Sequence, residues 1–280
     1  MKNLGRIALV LMAVVLIAAG CSKNNPLAPE IATETDFHQL YVRPDFIDDR
    51  PEDVKAAFMI VNTEPVELDK TAPKGAKYAL CIGISNYAGT VNDLNYCDDD
   101  ARDWASRLQK EGYTVTTITD LQATKAAIES AINTLAGRAI AGNEIAFCYS
   151  GHGSKGNMIS TDMYYLSYTW MKTKFSAATS AKMAFAFDAC QIGAFATALK
   201  AAGRVIAVAS SSTTYSYDGD ASMANGVFTY YQMKAFDQLG YIYYEPDCKY
   251  ACDQMKIWAA ARKLKVAPSY VDSYTGDLNL

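Results

Sequence analysis

Two short strings hold residue types able to do chemistry, Tyr149-Ser-Gly-His-Gly-Ser154 and Phe187-Asp-Ala-Cys-Gln-Ile-Gly193. The first carries His152 and the second Cys190. Each follows an apolar run that reads as a buried strand, residues 144–148 and 182–187. The chain has only two histidines, so there is little choice of imidazole base. In an open parallel sheet, reactive groups gather beyond the carboxyl ends of the strands. A cysteine and a histidine placed there on neighbouring strands can form a thiolate–imidazole pair, the minimal apparatus of cysteine-dependent acyl transfer. Cys190 would attack a carbonyl; His152 would protonate the departing amine and then activate water. The backbone N–H groups of Gly153 and of Cys190 are candidate oxyanion donors, glycine allowing the close approach needed. The competing readings are a hydrogen-bonded structural histidine and an inert core cysteine. Glycines on both sides of His152, and an acid two residues before Cys190 in a run otherwise apolar, weigh against both.

That acid is Asp188. A carboxylate at the end of an apolar strand is costly unless paired. Residues 188 and 190 point to the same side of an extended chain, so Asp188 is a natural wall for a pocket that takes a cation beside the nucleophile.

The elements that must position these groups alternate from Lys77 onward. Strands are expected at 78–84, 113–118, 144–148, 182–187 and 204–209, with a small hairpin strand at 164–168. Helices are expected at 98–111, 123–135, shortly after Cys190, at 226–238 and at 247–264. This order implies a mostly parallel sheet covered on both faces.

The 280 residues are half hydrophobic and one fifth charged, ordinary globular composition. A net charge of −4 and a pI near 5.3 argue against nucleic acid as a partner. Residues 1–20 have a short basic start and an apolar stretch of signal-peptide length, too short to span a membrane comfortably. Residues 18–22, Ala-Ala-Gly-Cys-Ser, resemble a bacterial lipobox. The resemblance implies export and a lipid on Cys21, with Ser22 favouring the outer membrane or cell surface. Residues 21–75 read as a tether followed by an arm, partly ordered and packed on the main domain, whose purpose the sequence does not disclose. Of the other cysteines, Cys81 and Cys148 fall in apolar strands. Cys248 and Cys252 are four apart on a helix, their Cβ atoms ~5–6 Å apart against ~3.5–4.5 Å in a disulfide. No second pair of ligands matches their spacing, so no metal site is expected.

Four stretches together resemble the caspase-like cysteine peptidases of clan CD, of the metacaspase or orthocaspase type. They are residues 79–87, Leu94-Asn-Tyr-Cys-Asp-Asp-Asp-Ala101, Ser150-Gly-His-Gly153 and Asp188-Ala-Cys-Gln-Ile-Gly193; residues 226–230 and 268–274 echo the last helices and closing strand. Tyr96 stands where the family usually has glycine, and Asp99 where it has asparagine. The resemblance implies a three-layer α/β/α sandwich over 76–280, a His152–Cys190 dyad, and an acidic pocket formed by Asp188 and Asp100. It therefore implies cleavage of protein or peptide substrates after Lys or Arg, not after Asp. For Asp100 the competing role is stabilising a helix N-terminus. Asp218 and Asp220 are expected in a solvated loop, the alternative being that this loop borders the cleft and the two acids add negative charge there. Residues 153–162 lack the acidic cluster that binds calcium in many metacaspases, so no cofactor is expected. Only residues 191–203 separate Cys190 from the next strand, which leaves little room for a processing linker. The rival readings are a clostripain-like protease or transpeptidase and a non-catalytic caspase-fold lipoprotein that binds peptides or partners.

Overall fold

In a computed structural model of the chain, residues 43–60 and 64–280 are described. Residues 1–20, Cys21 and the tether up to residue 42 lie outside the described residues.

Four apolar runs become strands buried on both faces: β1 (Lys77–Gly83), β3 (Glu144–Ser150), β7 (Lys182–Asp188) and β8 (Arg204–Val208). Continuous apolar runs of this kind belong inside a parallel sheet. The threonine-rich β2 (Thr114–Thr119) takes one edge and β9 (Ser269–Asp272) the other. The order is β2-β1-β3-β7-β8-β9, all parallel except β9, which runs antiparallel to β8.

The side-chain period of two divides large from small. Leu80, Ile82, Phe147, Phe185 and Phe187 point to one face, where they meet Ile128 and Ile132 of α3 (Lys125–Gly137). Ala79, Cys81, Ala146, Cys148, Ala184 and Ala186 point to the other. Their small volume admits bulky groups from α2 (Cys97–Lys110), α5 (Val227–Asp237) and α6 (Tyr244–Ala260), notably Trp104, Phe228 and Tyr244. The result is the expected α/β/α sandwich. All six described cysteines are free and buried, Cys248 and Cys252 included.

Two departures from expectation bear on the site. The segment after His152 folds into a second, antiparallel sheet of β4 (Gly153–Ser154), β5 (Asn157–Ile159) and β6 (Tyr165–Ser167). Ser167 then ends the strand by capping α4 (Tyr168–Lys174), its hydroxyl accepting from the Trp170 N–H at 3.1 Å. At the head of α2, Tyr96 has φ +63°. That is left-handed backbone, which glycine adopts freely and tyrosine only at a cost. The tyrosine thus keeps a backbone geometry suited to the glycine it replaces.

The arm packs on this frame. After a short helix, α1 (Glu52–Ala57), residues 58–60 run beside β6. There the Ile60 N–H donates to the Tyr165 carbonyl at 3.0 Å, and the Tyr165 N–H to the Phe58 carbonyl at 2.9 Å. Further on, the Asp69 N–H donates to the carbonyl of Gly137 at the end of α3 at 2.8 Å.

Candidate active site

β3 and β7 are parallel neighbours in a register that sets Ser150 beside Asp188. Both strands run past the residues at which their apolar patterns stop, and the chain leaves them at the same level. His152 and Cys190 therefore each sit two residues beyond a matched pair. The Gly151 N–H donates to the Asp188 carbonyl at 3.3 Å, locking the two exits together. A Cβ on Gly153 would collide with the Cys190 carbonyl oxygen and lie 3.0 Å from Ala189, so only glycine fits there.

His152 is buried, its ring between Tyr87 and Phe46 at centroid distances of 4.8 and 5.5 Å. The Tyr87 hydroxyl accepts from its backbone N–H at 2.7 Å. Nε2 lies 2.9 Å from the Asn92 carbonyl. A carbonyl only accepts, so Nε2 carries the hydrogen and Nδ1 holds the lone pair. Nδ1 is buried without a hydrogen-bond partner. Burial lowers the imidazole pKa to about 4, and the nearby Arg43 charge adds to this against the Asn92 hydrogen bond.

Cys190 Sγ accepts from the Ser216 N–H at 3.4 Å and is within 3.8 Å of the Arg43 carbonyl oxygen and 3.9 Å of that of Ser216. Burial pushes the thiol up to about 12, the Ser216 N–H opposing it. No hydrogen bond joins Sγ to His152. At neutral pH the two groups are thus an uncharged thiol and an uncharged imidazole, not a thiolate paired with its base. Peptide-mapped labelling of Cys190 by iodoacetamide should be slow at pH 7.5. Its rate should still be climbing at pH 10, where a thiol of pKa ~8.5 has levelled off. A plateau by pH 9.5 would contradict this.

Beside the thiol, three carboxylates close around one guanidinium. Asp100 Oδ2 lies 3.3 Å from Arg43 Nη2, Asp188 Oδ1 3.2 Å from Nη1, and Asp218 Oδ1 2.8 Å from Nε. The Asp188 carbonyl also accepts from Nη1. Each acid is held from behind. Asp100 accepts from the Ser150 hydroxyl at 2.6 Å and the Gly226 N–H at 2.9 Å. Asp188 accepts from the Ser216 hydroxyl, and from the Thr229 N–H and hydroxyl at 3.1 and 2.9 Å. Asp218 accepts from the Asn95 N–H at 3.2 Å. Burial alone would lower the Arg43 pKa, but the surrounding acids, led by Asp188, raise it well above its ordinary value. Burial raises Asp100 and Asp218, with Asp188 adding to both and Arg43 opposing. The three acids outnumber the one cation they enclose.

A family profile described as the caspase domain matches residues 76–260. The chain belongs to the caspase-domain family. That places it among the cysteine peptidases of clan CD. The solved structure of protein GSU0716 from Geobacter sulfurreducens is similar, with a TM-score of 0.56 and 19% identity over 74% of this chain and 97% of that one. At that identity the likeness speaks for the fold alone. No curated protein matches the chain.

Within this caspase domain, Asp218 corrects the sequence reading. It is buried at 4% exposure and pairs with Arg43, whereas Asp220 is exposed and accepts from Ser222 in a turn. The loop after β8 folds back through a bridge between Asp218 and Gly226, which turns the first acid inward. The sequence marks Gly226 only as the start of a helix, not as part of the pocket. Any Cβ there would strike the Arg43 guanidinium and sit 3.0 Å from Asp100 Oδ2. Of the candidate oxyanion donors, Gly153 packs against the backbone of Cys190. Neither N–H is hydrogen-bonded to the Arg43 carbonyl.

Proposed function

We propose that this chain is a lipid-anchored cysteine endopeptidase that cuts after Lys or Arg. One observation carries the reading: a guanidinium sits among Asp100, Asp188 and Asp218 while the carbonyl of the same residue lies 3.8 Å from Cys190 Sγ. A substrate's basic side chain entering that pocket would present its own carbonyl to the sulfur. Sγ then bonds to the carbonyl carbon. The proton lost from the thiol passes through His152 Nδ1 to the leaving nitrogen as the C–N bond breaks. Water adds to the thioester, giving its hydroxyl to the acyl carbon and its remaining proton back to sulfur. The N–H groups of Gly153 and Cys190 would bind the oxyanion in the transition state. An aspartate side chain would meet three like charges, which explains the expected exclusion of Asp.

The test is hydrolysis by the full chain of short peptides carrying Arg, Lys, Asp or Leu before a chromogenic group, at concentrations high enough to compete with Arg43. Turnover of the Arg and Lys peptides alone is expected. Preference for Asp or Leu would overturn the pocket assignment, and no turnover of any, by the full chain or by an Arg43→Ala chain whose pocket is vacated, would overturn the peptidase.

The anchor rests on the residues around Cys21. Cys21→Ala should move the protein from the membrane fraction to the soluble one or stall its processing. Unchanged partitioning would refute lipidation.

A further inference from the structure

The occupant of the acidic pocket belongs to the chain itself, and so does the peptide that continues from it. After Arg43 the arm leads away on the side of the nucleophile that a leaving group would occupy. Asn92 grips the backbone of Ile47 twice, its Oδ1 accepting from the Ile47 N–H at 2.8 Å and its Nδ2 donating to the Ile47 carbonyl at 2.9 Å. The same residue's own carbonyl orients the His152 ring. The Phe46 ring covers that imidazole and meets Tyr165 edge-on at 5.6 Å. The Tyr215 hydroxyl donates to Asp45 at 3.0 Å, and the Tyr165 hydroxyl to Asp48 at 2.7 Å. These contacts read backbone and side chains along the cleft much as they would read a substrate. Cys190 and His152, at 2% and 1% exposure, are sealed beneath.

The bond presented to the thiol joins Arg43 to Pro44. Its nitrogen bears the ring Cδ in place of a hydrogen. That carbon crowds the approach of a proton donor to the nitrogen, and the ring resists the reshaping that departure requires.

We propose that residues 43–50 are a tethered substrate mimic, bound through the basic-residue pocket and the leaving-group side of the cleft, which keeps the site latent until it is displaced, with Pro44 sparing the chain from its own nucleophile. This rests on the peptidase reading above. It also assigns Asn92 as a backbone clamp for the fourth substrate residue after the cut.

The full chain would be compared with Arg43→Ala and Pro44→Ala in two assays, iodoacetamide labelling of Cys190 and hydrolysis of the Arg peptide. Arg43→Ala should raise both rates at least roughly tenfold, by freeing a site now sealed. Pro44→Ala keeps the pocket filled but restores an ordinary amide. It should cut itself between residues 43 and 44, seen by intact mass and by a new N-terminus at residue 44, and Cys190→Ala in the same chain should stop this. Unchanged labelling in Arg43→Ala overturns the mimic, whatever the peptides show. Faster labelling with no hydrolysis and no self-cutting supports occlusion by the arm and overturns the peptidase reading instead. If Arg43→Ala does not fold, Pro44→Ala decides: a chain that hydrolyses the Arg peptide yet stays intact overturns the mimic.

Discussion

Cys190→Ala should abolish peptide hydrolysis, by roughly four orders of magnitude or more, while leaving the fold in place. The loss is chemical, because no other group in the cleft can form the thioester. The cost to stability should be about 1 kcal/mol. That corresponds to a fall in thermal midpoint of roughly 2–4 °C for a domain of this size. His152→Ala should lose nearly as much activity for a different reason. It removes the unpartnered Nδ1, the proton carrier for the leaving nitrogen, but not the nucleophile. The two variants separate in labelling: His152→Ala keeps a Cys190 that iodoacetamide can alkylate, and Cys190→Ala does not. Residual hydrolysis within tenfold of the unaltered protein in either variant would remove that residue from the dyad.

The second large effect is on specificity. Asp188→Asn should weaken kcat/KM for both Arg and Lys peptides by roughly tens- to thousands-fold. Truncating one partner of a buried charge pair costs ~2–5 kcal/mol, at ~1.4 kcal/mol per decade. Asp188→Lys should be worse, since it sets a fixed cation beside the incoming one. Asp218→Asn should behave differently. Asp218 bonds the Arg43 Nε at 2.8 Å, and in lysine a methylene occupies that position. Its loss should therefore fall mainly on Arg peptides and shift preference toward Lys. Equal losses on the two would show that Asp218 acts only as bulk negative charge. For Asp100 and Asp218 the pH sign is the same. Binding of a cation needs ionised carboxylates, and burial raises Asp100 and Asp218 above the ordinary range. Cleavage after basic residues should thus decline as the medium is acidified through the mildly acid range, before ordinary exposed carboxylates would titrate.

The reacting groups were legible in the sequence because each is announced locally. An apolar run, an abrupt polar residue and flanking glycines mark a strand that ends in a special turn, and two such signals share one sheet. Asp188 was legible for the same reason, as an acid where an apolar pattern predicts none. Asp218 was not. It sits in a loop of serine, threonine and tyrosine with no period, and only the return of that loop to Gly226 buries it. Arg43 was the least legible of all. It meets the Asp188 carbonyl across 145 positions of chain, and nothing near it marks a lone arginine before a proline as the counterion of three distant acids. The helix α4 escaped notice because Tyr164 to Tyr168 has good strand composition, and the capping hydroxyl of Ser167 overrides it.

The pairing of residues 58–60 with Tyr165 has a consequence for how the site opens. It roots the arm beside the cleft, so only the eight residues from 43 to 50 need to peel away, and they never leave the neighbourhood. A ligand held by so short a leash is present at an effective concentration on the order of millimolar. A free peptide that made the same contacts would have to reach that level merely to compete on equal terms. Turnover at ordinary substrate levels then belongs to proteins that grip a second surface as well, or to molecules in which the leash has been cut.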